Sequence, residues 1–348
     1  MSSLAAVGLG LSAPIANAQT PTFGCPVGSA CTDPVGYTTM VVKAGGLSLL
    51  GLNLLQAIDV QATLNVDGDR TVVLPQGIDL TNGEFGAGTH FIEILAGAAD
   101  PVGNAGLIAT ITGQDDGLDT LTLEEALPGS VPDGVSFRIR KHWTLEEIFG
   151  DGSVENPVAI KKGTDSSADR VLLLNAQGSF DTFYFKSFFN VDTGWLKIGD
   201  DVTDQGGKIV NFLDGIVVQS SAASDTDILL LGAVKPDTTI VPINTGLNVV
   251  SNVYPVDGGI TLGNSGLEDF LKKGTDSSAD RVLLLNDQGG FDTYYFKRFF
   301  NVDTGWLLLG GDETDRADVA LPISGSYVIQ RTDVAIGVAL NPPAAFGN

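Results

Sequence analysis

Lys161 to Asp204 reads KKGTDSSADRVLLLNAQGSFDTFYFKSFFNVDTGWLKIGDDVTD, and Lys272 to Asp315 reads KKGTDSSADRVLLLNDQGGFDTYYFKRFFNVDTGWLLLGGDETD. The two stretches lie 111 residues apart and agree at 36 of 44 positions. A spacing of that size is a domain, not one step of a solenoid, so the chain carries a duplicated module. The first copy reads as short strands at Val171 to Leu174, Thr182 to Phe189, Gly194 to Ile198, Gly215 to Val218 and Ile228 to Leu231. Turn signals at Gln177-Gly178, Asp192-Thr193-Gly194 and Asp214-Gly215 divide them. Past the near-identical stretch the repeat continues more weakly. Ile216-Val217-Val218-Gln219 answers Tyr327-Val328-Ile329-Gln330, and Asp227-Ile228-Leu229 answers Asp333-Val334-Ala335 after a shortened loop.

The differences between copies say more than the identities, which recent duplication explains on its own. Phe183 becomes Tyr294, so that ring edge is expected to reach water, and Ser187 becomes Arg298, which suits an exposed position. Tyr184 and Phe185 alternate along their strand, predicting one solvated face and one core face.

Upstream, residues 34 to 141 read as a separate β unit. Thr63 to Val72 has a strand-turn-strand form around Asp67-Gly68-Asp69, and short strands follow at Phe91 to Leu95, Leu107 to Ile111, Leu118 to Leu123 and Ser136 to Arg140. A short helix is predicted at Thr144 to Phe149, with Thr144 as N-cap and Glu147 completing a capping box. A counterpart at Ser265 to Leu271 opens the second copy. The expected fold is all-β: an N-terminal barrel or sandwich over 34–141, then sandwich-like modules over 142–255 and 256–348.

Asp33-Pro34-Val35-Gly36-Tyr37, the junction Ile139-Arg140-Lys141-His142-Trp143-Thr144-Leu145, and Gly246 to Pro255 (GLNVVSNVYP) together resemble an uncharacterised family of exported proteins from Verrucomicrobia and related bacteria. Lys141 stands where the family pattern has proline. The resemblance spans nearly all of the chain after its leader. It implies an exported, β-rich architecture and no particular activity.

Residues 1–18 read as a signal peptide: an apolar run from Leu4 to Leu11 leads to Ala16-Asn17-Ala18, although no Lys or Arg precedes it. Residues 19–33 form a loop holding both cysteines. In an oxidising compartment Cys25 and Cys31 pair as a small-loop disulfide, two free thiols being the alternative; two cysteines are too few for a structural zinc site. The apolar run Leu47 to Leu55 is too short to span a bilayer, so no membrane span is expected. The expected location is secreted, at the cell surface or outside it, with the periplasm an option.

With 42 acidic against 19 basic residues, the formal net charge is -23. Such a surface repels nucleic acid and shows no basic stripe to bind it. His90 and His142 are the only histidines, neither near a Gly-x-Ser-x-Gly turn, so a serine triad is not supported and no enzyme signature is found. Calcium is the one candidate cofactor. Asp165, Asp169, Asp192, Asp201 and Asp204, repeated as Asp276, Asp280, Asp303, Asp312 and Asp315, sit in turns where an oxygen cage could form. The competing reading is that these aspartates cap their own turns. Tyr184, Phe188, Phe189 and Trp195, echoed by Tyr295, Phe299, Phe300 and Trp306, are candidate carbohydrate-stacking rings, against the ordinary reading of aromatic core.

The leading functional expectation is a non-catalytic structural or adhesive protein that associates with itself into fibres or a lattice. A carbohydrate-binding protein, with a surface polysaccharide as partner, is the alternative. A carboxylate-dependent glycoside hydrolase comes third.

Overall fold

The computed structural model describes residues 34–78, 85–95, 103–128, 131–189, 191–200, 202–256 and 259–343. Strands make up 47% of the chain and helix 3%, so the all-β class holds. Residues 1–18 and the Cys25/Cys31 pair lie outside the described residues.

In chain order, β1 (Val35–Val42) and β2 (Leu47–Leu50) precede a run of six strands. These are β3 (Ile58–Val66), β4 (Thr71–Val73), β5 (His90–Ile94), β6 (Ile108–Asp115), β7 (Thr120–Leu123) and β8 (Val135–Lys141). They close into a barrel in the order β3-β4-β7-β6-β5-β8. Period-two alternation explains the closure: Leu64, Val72, Ile92, Ile111, Leu121, Leu123, Phe137 and Ile139 all turn inward and form one core. Packed side chains fill a barrel this narrow.

The rest of the first module follows as β9 (Trp143–Thr144), α1 (Leu145–Phe149), β10 (Arg170–Leu174), β11 (Phe180–Phe188), β12 (Val191–Lys197), β13 (Ile209–Val210), β14 (Ile216–Gln219) and β15 (Thr226–Ala233). The second module comprises β16 (Thr239–Ile243), β17 (Gly246–Ser251), α2 (Leu267–Phe270), β18 (Arg281–Leu285), β19 (Phe291–Phe299), β20 (Val302–Leu308), β21 (Ser326–Arg331) and β22 (Ile336–Leu340). Helix α1 has the expected capping box: Glu147 N–H donates to Thr144 Oγ1 at 3.3 Å and Thr144 N–H to Glu147 Oε2 at 3.0 Å. Helix α2 starts instead from Gly266 at φ 85°, with no side-chain cap.

The modules share one topology. Sheet β12-β11-β10-β14-β2 matches β20-β19-β18-β21-β17, and ribbon β1-β15 matches β16-β22. Leu50 faces Ile216 as Val250 faces Tyr327, so Leu47 to Leu50 are the counterparts of Leu247 to Val250. Strand pairing therefore divides the chain differently from the expected boundaries. Strands β1 and β2 belong to the first module, not to the 34–141 unit, and β16 and β17 belong to the second, not to 142–255. The barrel is an insertion between β2 and α1 of the first copy.

Other expectations need correcting. Val42 pairs with Thr226 and Ile243 with Ile336, so Thr226 corresponds to Ile336 and Asp227 to Gly337, not to Asp333. Asp192-Thr193-Gly194 lies inside β12 and is no turn. Tyr184 and Phe185 are both buried, because Tyr184 packs with Ala168 and Leu196 on the face expected to be solvated.

The modules meet across a pseudo-twofold axis. Gly51 N–H donates to Ser324 O at 3.1 Å, and its counterpart Ser251 N–H donates to Leu213 O at 3.0 Å. Bridges Leu50↔Gly325 and Asp214↔Val250 repeat the symmetry, and Leu49, Leu172 and Val217 share a cluster with Val249, Leu283 and Val328. A self-complementary contact of this kind normally joins two subunits; here both halves are in one chain. The crossing demands glycine: a Cβ on Gly51 would lie 2.0 Å from the Gly325 carbonyl oxygen.

A buried ionic knot fixes the barrel to this platform. Glu93 of β5, Arg140 of β8 and Lys235 of the inter-module link are each about 1% exposed. Lys235 Nζ pairs directly with Glu93, and Arg140 Nε lies 3.7 Å from Glu93 Oε2. Burial pushes the Glu93 carboxyl up, but the Lys235 and Arg140 cations outweigh it and hold the group below its ordinary range.

Candidate functional site

Each module ends its long hairpin in a displayed pair of phenylalanines. Phe188 is 56% exposed and Phe189 85%; Phe299 and Phe300 are 54% and 86%. Within each pair the rings meet edge-on with centroids 4.3 Å apart. Val191 and Val302 extend the apolar tip. Phe189 sits at φ 50° and Phe300 at φ 47°, the left-handed region that a bulky side chain avoids. Strain of about 1–2 kcal/mol is thus kept at the same point of both copies. A bulge after Lys186 or Lys297 directs each tip, and a charged base stiffens it: Lys162 pairs with Asp192 at 2.6 Å, Lys273 with Asp303 at 3.4 Å.

The eight candidate stacking rings therefore divide. Tyr184, Trp195, Tyr295 and Trp306 are core, with Trp195 Nε1 donating to Gly150 O at 2.8 Å. Phe188, Phe189, Phe299 and Phe300 are display. Nothing in the sequence pattern separates the two sets, because the left-handed residue at the tip is Phe, where glycine or asparagine would have signalled it.

The candidate calcium carboxylates are mostly engaged elsewhere, and the structure does not gather them. Asp169 is fully buried and accepts from Lys161 N at 3.0 Å and Ser221 N at 2.6 Å. Asp280 accepts from Lys272 N, Thr332 N and Arg331. Each pins the loop that leads into β10 or β18. Asp192 and Asp303 bind the tip lysines, and Arg298 also pairs with Asp303. Asp204 caps Gly206 N, while Asp315 caps Trp306 N and Ala317 N. Asp312 holds Arg316, and Asp165 and Asp276 offer their backbone carbonyls to Arg170 and Arg281. Asp201 lies outside the described residues. Among the described residues, no group of three or more His, Cys, Asp or Glu side chains is placed to hold a metal.

Pseudosymmetry also produces two grooves. The first, about 980 Å³, runs between the β1–β2 turn and the β18–β19 turn, and Tyr294 lines it as the Phe183 replacement suggested. The second, about 530 Å³, lies between the β16–β17 turn and the end of β10. The barrel walls only the second, through Thr110, Thr112, Glu124, Glu125 and His142. Asp214 lines it as an exposed residue whose carboxyl the groove walls partly desolvate. Burial first, then the charge of Glu125, pushes it up to about 6. Burial likewise raises Glu125 and, with His90, lowers His142 to about 4. His90 itself sits 3.4 Å from Asp59 and 2.8 Å from Thr89 Oγ1.

Comparison with known proteins gives no match to a protein family, to a curated protein or to a solved structure. No helix among the described residues is long and apolar enough to cross a membrane.

Proposed function

We propose that this is a non-catalytic adhesive or structural protein working outside the cell, which associates with further copies of itself through its two phenylalanine hairpin tips. The observation that supports it is the duplicated, strained and exposed pair, Phe188-Phe189 and Phe299-Phe300. Natural proteins hide rings of this size unless a partner covers them, and burying one contributes about 2 kcal/mol. Two identical contacts on one rigid platform make each chain bivalent, and bivalent subunits extend into filaments or sheets where a single contact closes into a dimer. Export agrees with the leader-like N-terminus and with the resemblance to exported Verrucomicrobial proteins. The charge of -23 opposes close approach, so cations that screen it promote association.

Light scattering and negative-stain microscopy across sodium and calcium titrations test the reading. Wild type forms extended assemblies as cation rises; Phe188→Ser/Phe189→Ser/Phe299→Ser/Phe300→Ser stays monomeric. Assemblies of unchanged size and onset in that variant would refute tip-mediated association.

A further inference from the structure

The copies are near-identical from Lys161 to Asp204 and from Lys272 to Asp315, then diverge completely for twelve positions: QGGKIVNFLDGI at 205–216 against RADVALPISGSY at 316–327 shares no residue. Identity resumes at Val217 and Val328. This segment supplies one wall of each groove, so the two grooves differ in the residues that line them. Lys208, Asn211 and Asp214 of the barrel-walled groove answer Val319 and Pro322, which line the open one, and Gly325 beside it. The polar set therefore lies where the inserted barrel adds a further wall.

We propose that the barrel-walled groove is a binding site for a neutral saccharide chain. Its volume of about 530 Å³ falls within the roughly 300–1,000 Å³ of small-ligand pockets. Leu173, Val249 and Val250 give it an apolar floor, while the Asp214 and Glu125 carboxylates and the Lys208 ammonium supply acceptors and donors around it. His142 is a second, separate indication: the residue is only 2% exposed, lines the groove, and its Nδ1 has no hydrogen-bond partner. A buried ring nitrogen left unpaired is costly, whereas Nε2 lies 3.4 Å from Thr110 Oγ1 on the groove wall; a ligand hydroxyl brought against Nδ1 would remove that cost. Hydroxyls suit the whole set, since each donates to a carboxylate and accepts from an ammonium. Three acidic side chains, Glu124, Glu125 and Asp214, disfavour an anion. A sugar's apolar ring face suits the floor.

The site is independent of the hairpin tips, so the two proposals fail separately. Calorimetric titration of the full-length protein with cellohexaose, maltohexaose, xylohexaose and chitohexaose provides the test. At least one probe binds saturably, and Asp214→Asn and Glu125→Gln each weaken it at least about tenfold, the loss of one hydrogen bond to a charged group. Asp214→Gly, which copies the open groove, does the same, while Phe189→Gly/Phe300→Gly leaves affinity unchanged. Circular dichroism and unfolding midpoints confirm that the variants fold; Glu125→Gln, on the barrel wall, serves if Asp214 variants do not. Absence of saturable binding by all four sugars at about 10 mM, or affinity unmoved by both carboxylate variants, overturns the proposal.

Discussion

Lys235→Met breaks the knot between barrel and platform while keeping most of the side-chain volume. Glu93 and Lys235 are both about 1% exposed, so neither can recruit water when its partner goes. Removing one member of a buried ion pair costs about 3–5 kcal/mol. Arg140, with Nε 3.7 Å from Glu93 Oε2, still offers a counter-charge, which places the loss near the lower end, about 3 kcal/mol. The penalty also depends on pH with a definite sign. In the wild type the Glu93 carboxyl is held below its ordinary range, so its ion pair stabilises the fold above that range and loses its effect as the pH falls through it. Without Lys235 that contribution shrinks, so the gap between wild type and variant is widest near neutrality and narrows in acid. Urea unfolding followed by tryptophan fluorescence reports it, because Trp143 sits at the junction with Nε1 donating to Leu54 O at 2.8 Å. The triple variant Glu93→Leu/Arg140→Met/Lys235→Met recovers part of the loss, since an apolar cluster in place of the whole knot leaves no buried charge to compensate. A loss under about 1 kcal/mol, or a penalty constant from neutral to acid pH, would refute the reasoning.

Three further outcomes follow from single positions. Gly51→Ala forces a Cβ to 2.0 Å from the Gly325 carbonyl oxygen, so the modules separate and the unfolding midpoint falls; calorimetry showing an unchanged midpoint would contradict the crossing. Phe189→Gly and Phe300→Gly relieve left-handed strain and raise stability by about 1 kcal/mol each while weakening association, a separation that denaturant melts and light scattering read together. His142 titrates near 4 when folded against 6.5 when free, so it costs stability as the pH drops from about 6.5 to about 4. His142→Gln lacks that slope. Asp214, raised to about 6, acts in the opposite sense, so the effect is read as the difference between wild type and variant melts at each pH.

Local chemistry was legible in the sequence and long-range pairing was not. Thr144 and Glu147 make their capping box within four residues, and the hairpin around Gly68 is equally local. Nothing local reveals that Leu47 to Leu50 pair with Ile216 to Gln219 across the whole inserted barrel. The counterpart stretches Gly46-Leu47-Ser48-Leu49-Leu50 and Gly246-Leu247-Asn248-Val249-Val250 share a pattern but only two residues, too few to betray the insertion. Aspartate placement was also opaque. Asp169 and Asp280 occupy turn-rich sequence that reads as a cation loop, yet their carboxylates turn inward to backbone amides. The grooves did leave a trace: the twelve divergent positions that follow the near-identical stretch include residues that line them.

Hydroxyl-radical footprinting with mass spectrometry on the assembled protein tests tip-mediated association most directly. Phe188, Phe189, Phe299 and Phe300 are labelled in the monomer and protected on assembly, while Leu118, 68% exposed in the β6–β7 turn of the barrel, stays labelled in both. Tips labelled equally in monomer and assembly would contradict the account.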